Sequence, residues 1–238
     1  MQVTDGIWRF GTRHVNWYAV EDGGRLTLVD AGMPGHWPQL EAGLRRLGKD
    51  LRDVEAIVLT HAHADHVGFA ERARGQGDVD VLVDKRDADG RVRKMPPLHL
   101  YWRPTSWPLL AEGLRNGLLA TKPVREYRTF GGGDVLDVPG HPRVLATFGH
   151  TAGSVALLMP ERGVAFTGDA LVTLDPYTRG RGPRLLLDAV NEDTAQAKAS
   201  LPRLADVEAD WLLPGHGEPW RGRPADAVAQ ALRTQDQR

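Results

Sequence analysis

Four side chains that commonly bind metal ions fall within six positions of this chain. They are His61, His63, Asp65 and His66. Neutral imidazole and carboxylate are ligands that divalent metals such as zinc prefer. An apolar run at residues 56–59 precedes them and predicts a buried strand. A metal site at the end of that strand is therefore the first hypothesis, and a solvated polar loop is the alternative.

The spacing of the four ligands suits two metal ions rather than one. His61 and His63 are two positions apart, and residues i and i+2 of an extended backbone point to the same side. Both imidazoles can therefore reach one ion. Asp65 and His66 follow where the chain turns toward a helix, so their side chains could serve a second ion about 3.5–4 Å from the first.

Three further candidates lie downstream, each after an apolar run and beside glycine. They are His150, Asp169 and His216. Glycine lets the backbone approach a crowded site closely, and rigid scaffolds place chemistry in loops at the ends of their elements. These residues are the expected partners of the first cluster. The remaining lone histidines are interpreted as surface residues or as residues with satisfied hydrogen bonds.

Composition narrows the chemistry that this site can use. The 238 residues suit one domain spanning 1–238. There is no cysteine, which excludes thiolate ligands, a cysteine nucleophile and disulfides, so any metal site uses nitrogen and oxygen donors. The net charge of −1 does not indicate nucleic-acid binding.

The chain carries no sequence signal for export or for a membrane. No apolar run approaches the roughly 20 residues that a membrane span needs, and the first residues lack a basic and apolar leader. We therefore expect a cytoplasmic protein without a membrane partner. The oligomeric state is not readable from the sequence.

Strand and helix patterns alternate along the chain. Leucines at helical spacing predict a helix over residues 37–47. Apolar runs at residues 154–158 and 163–167 predict a hairpin, and a further strand is expected at 134–138. Asn191 is expected to cap a helix that continues to about residue 204.

Both halves of the chain contain a strand followed by a turn with aspartate, at Asp30 and Asp169. This echo suggests a duplicated β-rich unit with helices on the outside. Asp30 is as well suited to stabilising a turn as to serving a site. Residues 85–121 form an expected insertion and residues 173–184 a second long loop, and loops of this length are often functional.

The motifs together resemble those of the metallo-β-lactamase fold superfamily. Residues 60–66 resemble its metal signature, and residues 28–32 resemble its first motif. Later motifs of the family are matched, in order, by residues 149–154, 168–169 and 214–217. The resemblance covers about residues 7–219 and is specific for fold and metal site, but it says little about the substrate.

This resemblance implies an α/β fold, a four-layer αββα sandwich of two mixed β-sheets with the metal site at one sheet edge. It implies that His61, His63 and His150 bind a first metal ion and that Asp65, His66 and His216 bind a second. Asp169 would bridge the two ions together with a water or hydroxide. Asp30 would support the metal loop from behind, where such partners orient ligands.

The implied activity is that of a binuclear metal-dependent hydrolase. A metal-bound hydroxide would cleave an ester, a lactone or a thioester, because two divalent cations lower the pKa of bound water. Asp65 or Asp169 would accept a proton during the reaction. Zinc is the default metal, although iron, manganese, cobalt and nickel share these ligands.

Three alternatives remain open at this stage. The same metals could hydrolyse a phosphodiester, or a single iron ion could support a dioxygenase. A non-catalytic metal-binding module is the third. The lack of cysteine disfavours the β-lactamases that use a cysteine ligand. Only residues 217–238 follow His216, so the resemblance to glyoxalase II, which carries a longer C-terminal helical part, is incomplete. The remaining resemblance is to the compact lactonase and esterase members of the glyoxalase II-like branch.

The two loops provide the candidate substrate residues. Aromatic side chains there could line an apolar pocket or form a local core instead. These candidates are Tyr101, Trp102, Trp107 and Tyr177. Arginines and lysines of the same loops, at residues 91–103 and 179–184, would suit an anionic small molecule if they faced the site, but a solvated face is the alternative.

Overall fold

A seven-stranded mixed sheet forms the first half of the protein. The computed structural model describes residues 1–88, 92 and 98–236. The strands of this sheet are β1 (Gln2–Thr4), β2 (Ile7–Gly11), β3 (Asn16–Asp22), β4 (Arg25–Val29), β5 (Val54–Val58), β6 (Asp80–Asp84) and β7 (Arg128–Phe130), and they lie side by side in chain order. Strands β1 to β4 pair antiparallel, whereas β4 to β7 pair parallel.

A five-stranded mixed sheet forms the second half. Its strands are β8 (Arg143–Ala146), β9 (Val155–Met159), β10 (Val164–Gly168), β13 (Trp211–Pro214) and β14 (Trp220–Arg221), and their order across the sheet is β14-β13-β10-β9-β8. Strands β10 and β13 pair parallel, and the other neighbours pair antiparallel. A separate two-stranded ribbon consists of β11 (Val172–Leu174) and β12 (Arg181–Arg184).

In the described residues, six α-helices connect and cover these strands. They are α1 (Trp37–Arg46), α2 (Ala64–Val67), α3 (Ala70–Gly77), α4 (Trp107–Arg115), α5 (Thr194–Ser200) and α6 (Pro224–Asp236). Short 3-10 turns flank several of them, as at Leu98–Trp102 and Leu201–Leu204. Within the described part of the chain, no helix has the length and apolar character that crossing a bilayer requires.

The alternation of side chains along each strand produces the layers. In the first sheet, Val29 and Val58 point into a core shared with Leu157 and Phe166 of the second sheet. Their neighbours Leu28 and Ile57 point to the opposite face, where they join a different apolar cluster. Because successive strand residues face opposite sides, each sheet has two apolar faces, which must both be covered.

Helices cover the two outer faces. Leu40 and Leu44 of α1, with Ala70 and Ala73 of α3, pack on the first sheet. Residues of α5 and α6 pack in the same way on the second sheet, where Ala231 is fully buried. The order of layers is helix, sheet, sheet, helix, which confirms the predicted αββα sandwich.

Parallel pairing brings several strand ends to one edge of the sandwich. Strands β4 and β5 run parallel, so Asp30 and Thr60 follow them at the same edge. Strands β10 and β13 also run parallel, and Asp169 and Gly215 follow their ends. The hydrogen bond from Gly215 N to the Gly168 carbonyl, at 2.9 Å, keeps the second pair of loops in register.

Several local expectations are confirmed and three are wrong. The helix expected at 37–47 and the hairpin across 160–162 are present. Residues 134–138 form one isolated bridge at Val135 instead of a strand, because a tight turn through Gly140 follows at once. Residues 173–184 contain the β11–β12 ribbon, and α5 is capped by Asp193, not by Asn191. The single-domain boundary stays a prediction.

The core between the sheets yields a stability prediction. Replacing the fully buried Leu157 with alanine should lower the free energy of unfolding by about 2–5 kcal/mol, since the cavity cannot collapse between two sheets. Leu119→Ala is the matched control, because that side chain is 76% exposed and should change stability by less than about 0.5 kcal/mol. Urea unfolding measures both, and equal losses would contradict the packing described.

Candidate metal centre

The residues of the first cluster are placed by the end of β5 and the start of α2. His61 follows the strand, and His63 has an extended backbone (φ −76°, ψ 154°) that precedes the first residue of α2. Helix α2 is only four residues long, and it turns Asp65 and His66 toward the same centre. The change from extended chain to helix is what allows four closely spaced ligands to converge.

The first group of candidate ligands contains three imidazoles. His61, His63 and His150 each offer one nitrogen, and these atoms lie within 4.8 Å of one another. The Nδ1 atom of His63 is 2.8 Å from Nε2 of His150. The turn after β8 therefore brings His150 from a distant part of the chain onto the histidines that follow β5.

The second group contains Asp65, His66 and His216. Oδ2 of Asp65 is 3.8 Å from Nε2 of His66 and 3.6 Å from Nε2 of His216. The ligand atoms of all three residues lie within 4.8 Å of one another. His66 and His216 are buried, whereas the Asp65 side chain is 22% exposed.

The carboxylate of Asp169 lies between the two groups. Its Oδ2 is 3.3 Å from Nε2 of His150 and 3.0 Å from Nε2 of His216. Nε2 of His61 is 3.9 Å away, and Nε2 of His66 is 3.6 Å from Oδ1. One buried carboxylate thus approaches imidazoles of both groups, which is the placement expected of a bridging ligand.

Hydrogen bonds from outside the cluster orient four of the imidazoles. Each Nδ1 atom contacts an oxygen, which turns the Nε2 atom inward. The pairs are His61 with Thr60 Oγ1 at 3.0 Å, His66 with Asp30 Oδ2 at 2.9 Å, His150 with Asn191 Oδ1 at 3.0 Å, and His216 with the His14 carbonyl. Such partners set the tautomer and the ring orientation of metal-binding histidines.

Asp30 occupies a strained position at the end of β4. Its φ is +62°, a conformation that L-residues rarely adopt, although aspartate tolerates it better than most. Its carboxylate accepts hydrogen bonds from Thr60 N at 2.8 Å and from Thr60 Oγ1 at 2.9 Å, besides that of His66. The side chain therefore joins the first motif to the metal loop.

Asp87 connects the loops that carry the first group. Its Oδ2 accepts from Ala62 N at 3.0 Å and from Thr151 Oγ1 at 2.7 Å. Its Oδ1 accepts from Gly153 N at 2.8 Å. The side chain is buried, so the contacts hold the loop of His61 against the loop of His150 without competition from water.

Glycine at position 215 is required by the close approach of the loops. A Cβ atom there would lie 2.2 Å from Asp169 Oδ1 and 2.7 Å from His66 Cε1. No side chain larger than hydrogen fits at that position without moving two candidate ligands. The glycine beside His216 in the sequence motif thus has a steric cause.

Burial and mutual charge set the protonation of the first group. Burial and the neighbouring His66 hold the pKa of His61 well below its usual value. Desolvation and the His150 ring have the same effect on the pKa of His63. These imidazoles are neutral near pH 7, as metal ligands must be.

The second group behaves differently because carboxylates surround it. Burial lowers the pKa of His66, but Asp169, Asp65 and Asp30 outweigh it and raise the pKa to about 10. Asp169 and Asp65 likewise overcome burial at His216 and raise its pKa to about 9. Burial would raise the pKa of Asp169, but His216 and His66 hold it well below its usual value.

Several buried polar atoms of the cluster have no hydrogen-bond partner in the described structure. They are Nε2 of His61, Nε2 of His66 and Oδ1 of Asp169. Buried polar atoms are normally satisfied, so an unpaired group of this kind needs an explanation. All three point into a set of nitrogen and oxygen donors that suits divalent zinc, and the residues present therefore fit a metal centre.

The predicted substrate residues are more dispersed than the ligands. Trp102 and Trp107 are 81% and 59% exposed, respectively. Tyr177 is buried in a small apolar cluster with Leu109 and residues of the β11–β12 region. The side chain of Tyr101 lies outside the described residues. Contact of any of the four with a substrate stays a prediction.

The cations proposed for an anionic substrate divide in a similar way. Arg91, Arg93 and Lys94 lie outside the described residues. Arg103 and Arg179 are exposed, and Arg184 donates to the backbone carbonyls of its own ribbon.

Sequence patterns miss the residues that support the ligands. Asp87 and Asn191 stand in no recognised motif, and the pattern assigns Asn191 to a helix cap. One signal is present for Asp87, since it lies just beyond β6, whose end is at the same edge as that of β5. His14 is expected to be a surface residue or one with satisfied hydrogen bonds, and its side chain is hydrogen-bonded to Glu112. The sequence does not indicate that its backbone carbonyl contacts His216.

The fold and the centre together define an αββα sandwich protein with a two-part histidine and aspartate metal site. The family model of the metallo-beta-lactamase superfamily matches residues 10–216. The chain belongs to the metallo-β-lactamase superfamily. The match, with the clusters of candidate ligands, confirms the predicted enzyme class, a metal-dependent hydrolase of this fold.

Sequence relatives include several bacterial proteins. The chain is 30% identical over 215 residues to probable metallo-hydrolase YflN of Bacillus subtilis, covering 83% of this chain and 77% of the relative. Uncharacterized protein YobT of the same organism is 28% identical over 92% of this chain and 89% of its own length. A hydroxyacylglutathione hydrolase of Cereibacter sphaeroides is 32% identical over 63% of this chain and 45% of that protein.

Solved structures share the architecture. A metallo-β-lactamase family protein of Thermus thermophilus superposes with a TM-score of 0.71 at 27% identity, over 98% of this chain and 79% of the other. The subclass B3 metallo-β-lactamase BJP-1 of Bradyrhizobium japonicum gives a TM-score of 0.69 at 20% identity, over 100% and 92%. The second likeness concerns the fold alone.

The support of His66 by Asp30 yields a prediction about metal affinity. Asp30→Asn should weaken binding of one zinc ion by roughly 10–100-fold, because the amide cannot accept from both Thr60 and His66 as the carboxylate does. The matched control is Asp226→Asn, on the exposed surface of α6. Competition with a chromophoric chelator measures both, and wild-type affinity in Asp30→Asn would exclude this role.

The raised pKa values of His66 and His216 predict proton release on metal loading. Both imidazoles are in the cationic form at pH 7.5 in the metal-free protein. A metal ion must displace one proton from each ring before the nitrogen can bind it. Zinc affinity should therefore rise with pH up to about pH 9–10 and fall as the pH is lowered. Calorimetric titration in buffers of different ionisation enthalpy should show release of about two protons per chain. Release of none would contradict the charge distribution.

Proposed function

We propose that this chain hydrolyses an ester, a lactone or a thioester with two divalent metal ions. The observation that carries the proposal is the position of Asp169, whose carboxylate oxygens lie within 4 Å of imidazole nitrogens of both ligand groups. A single-ion site would not need two groups with a shared carboxylate. Two-metal hydrolytic sites hold their ions about 3.5–4 Å apart, which is the scale of this cluster.

The residues divide the work of holding the ions. His61, His63 and His150 would hold the first, and Asp65, His66 and His216 the second, with Asp169 shared between them. Two bound ions would supply a water of lowered pKa as nucleophile and would polarise the scissile carbonyl oxygen. No serine or cysteine nucleophile is then required.

Proton transfer is assigned to Asp65. The Asp65 side chain is 22% exposed, so the carboxylate oxygen that does not face the imidazoles can pass a proton to solvent, whereas the Asp169 side chain is only 3% exposed and is enclosed by imidazoles. Asp65 would take the proton that the nucleophile loses and return it toward the leaving group. Asp169 would stay ionised and keep the two ligand groups together.

Several observations support the choice of an acyl substrate. One relative is named a hydroxyacylglutathione hydrolase, and it aligns with 63% of this chain. The exposed rings of Trp102 and Trp107 lie on the segment predicted to frame the site and would contact an apolar portion of the substrate. Exposed Arg103 and Arg179 would suit an anionic group on the same molecule. Zinc is the proposed metal and the cytoplasm the proposed compartment.

The test of the proposed function compares substrates and metal states. The zinc-loaded chain should turn over one of an aryl ester, a lactone and a thioester faster than bis(p-nitrophenyl) phosphate. Chelation should remove that activity, and added zinc should restore it. His63→Ala should reduce it to the level of the metal-free protein, because one ion loses a ligand.

The matched control for His63→Ala is His141→Asn. His141 is exposed and has a φ of +42°, which asparagine tolerates, so this variant should retain wild-type rates. Faster turnover of the phosphodiester would replace the acyl substrate with the phosphodiesterase alternative. Full activity after chelation and verified metal removal would contradict the metal-dependent mechanism.

A further inference from the structure

Residues 98–121, called here the α4 segment, contact the elements that carry the second ligand group. Thr121 Oγ1 donates to the carbonyl of Ala64 at 3.1 Å, at the first residue of α2. The carbonyl of Asn116 accepts from Gly35 N at 2.8 Å, in the stretch that follows Asp30. The segment expected to frame the substrate therefore also packs on the support of the metal centre.

Glu112 makes a further, partly buried contact of this segment. Glu112 lies on α4, and its carboxylate is 2.6 Å from Nδ1 of His14. The carboxylate also accepts a hydrogen bond from the hydroxyl of Thr12. The side chain is 16% exposed, and His14 is buried. In the described part of residues 98–125, Glu112 is the only acidic residue, and it faces inward.

The turn that receives Glu112 is organised around Thr12. Its Oγ1 accepts hydrogen bonds from the backbone N–H of His14 at 3.3 Å and of Val15 at 3.2 Å. The hydroxyl proton is thereby directed to Glu112. The backbone of residues 12–15 is held by the hydrogen bonds to the Thr12 hydroxyl. The Glu112 carboxylate contacts the Thr12 and His14 side chains of the same turn.

This turn ends on a candidate metal ligand. The carbonyl of His14 accepts the hydrogen bond of His216 Nδ1, which leaves Nε2 of His216 facing Asp65 and Asp169. A carbonyl partner at Nδ1 selects the tautomer whose Nε2 lone pair is available to a metal. Moving this carbonyl would rotate or release the imidazole.

The first ligand group has supports of a different origin. His150 is held by Asn191, and Asp87 joins the loops of His61 and His150. Both supporting residues lie outside the α4 segment. A change confined to Glu112 should therefore act on one ligand group and spare the other.

We propose that Glu112 is a positioning residue for the second metal ion, acting through the His14 carbonyl on His216. The α4 segment is then part of the metal centre as well as of the substrate region. The inference rests on the proposed two-metal function. It assigns a role to a glutamate that is hydrogen-bonded to His14, belongs to none of the ligand motifs and lies far along the chain from both His14 and His216.

The experiment is a zinc titration of the metal-free full-length chain in competition with a chromophoric chelator. Glu112→Ala should weaken the second zinc ion by at least roughly 10-fold and leave the first unchanged. His14→Ala should give a similar loss, and the double variant no more than either single variant. Glu112→Gln retains the length of the side chain and an acceptor for Thr12, so it should fall between Glu112→Ala and wild type.

The matched control is Glu126→Ala. It also removes a glutamate from an ion pair, with Arg74 at 3.0 Å, but the Glu126 side chain is 82% exposed. Both zinc affinities should equal those of wild type. Thermal melting of each metal-free variant reports any general loss of stability separately from metal affinity.

The outcomes separate this inference from the proposed function. Unchanged second-ion affinity in Glu112→Ala, or an equal loss for both ions, overturns the positioning role and leaves the hydrolase proposal standing. A wild-type chain that binds only one zinc ion overturns both. Selective loss of the second ion supports the positioning role even if no substrate in the panel is hydrolysed.

Discussion

The structure depends on one buried carboxylate held among imidazoles. Asp169 is almost completely enclosed, and nitrogens of four histidines surround it. A buried charge is stable only when it is paired, and removing one partner of such a pair typically costs about 3–5 kcal/mol. Protons on His66 and His216 neutralise it in the metal-free chain, and metal ions would replace them. Pairing of this carboxylate requires the strand ends that carry the histidines to converge within a few ångströms of it. Position 215 must therefore be glycine, because a Cβ atom there would lie 2.2 Å from Asp169 Oδ1.

Two shells of contacts share the task of building the centre. The inner shell contains the seven candidate ligands, and the outer shell contains the acceptors that orient them, including Asp30, Asn191 and the His14 carbonyl. The Nδ1 atoms of four candidate ligands, His61, His66, His150 and His216, are hydrogen-bonded to these acceptors. The Nε2 atoms of the same rings therefore point toward the carboxylate of Asp169. The acceptors come from both halves of the chain. The centre is consequently built from both sheets and lies at the edge where they pack.

The proposed roles of the α4 segment join substrate contact to support of the metal centre. The α4 segment carries the exposed Trp102 and Trp107, which we propose as substrate contacts, and its Glu112 side chain reaches the turn that supports His216. Changes that adapt such a loop to a new substrate would also affect metal binding unless Glu112 and its partners were kept. This coupling provides a physical reason to examine metal content whenever loop variants of this chain are assayed.

The sequence by itself determined the ligand types, their spacing and the alternation of strands and helices. Those features are local, because a pair of histidines two positions apart after an apolar run can be recognised without knowing the fold. The resemblance to the family motifs then predicted the order of the layers. Only the tertiary structure decided that Asp87 joins two loops, that the His14 carbonyl orients His216 and that Asn191 supports His150 instead of capping a helix. These contacts join residues that are far apart along the chain, and no local pattern encodes which oxygen reaches which imidazole. The strand expected at 134–138 is reduced to a single bridge between Val135 and Arg143, because the chain enters the turn through Gly140 directly afterwards.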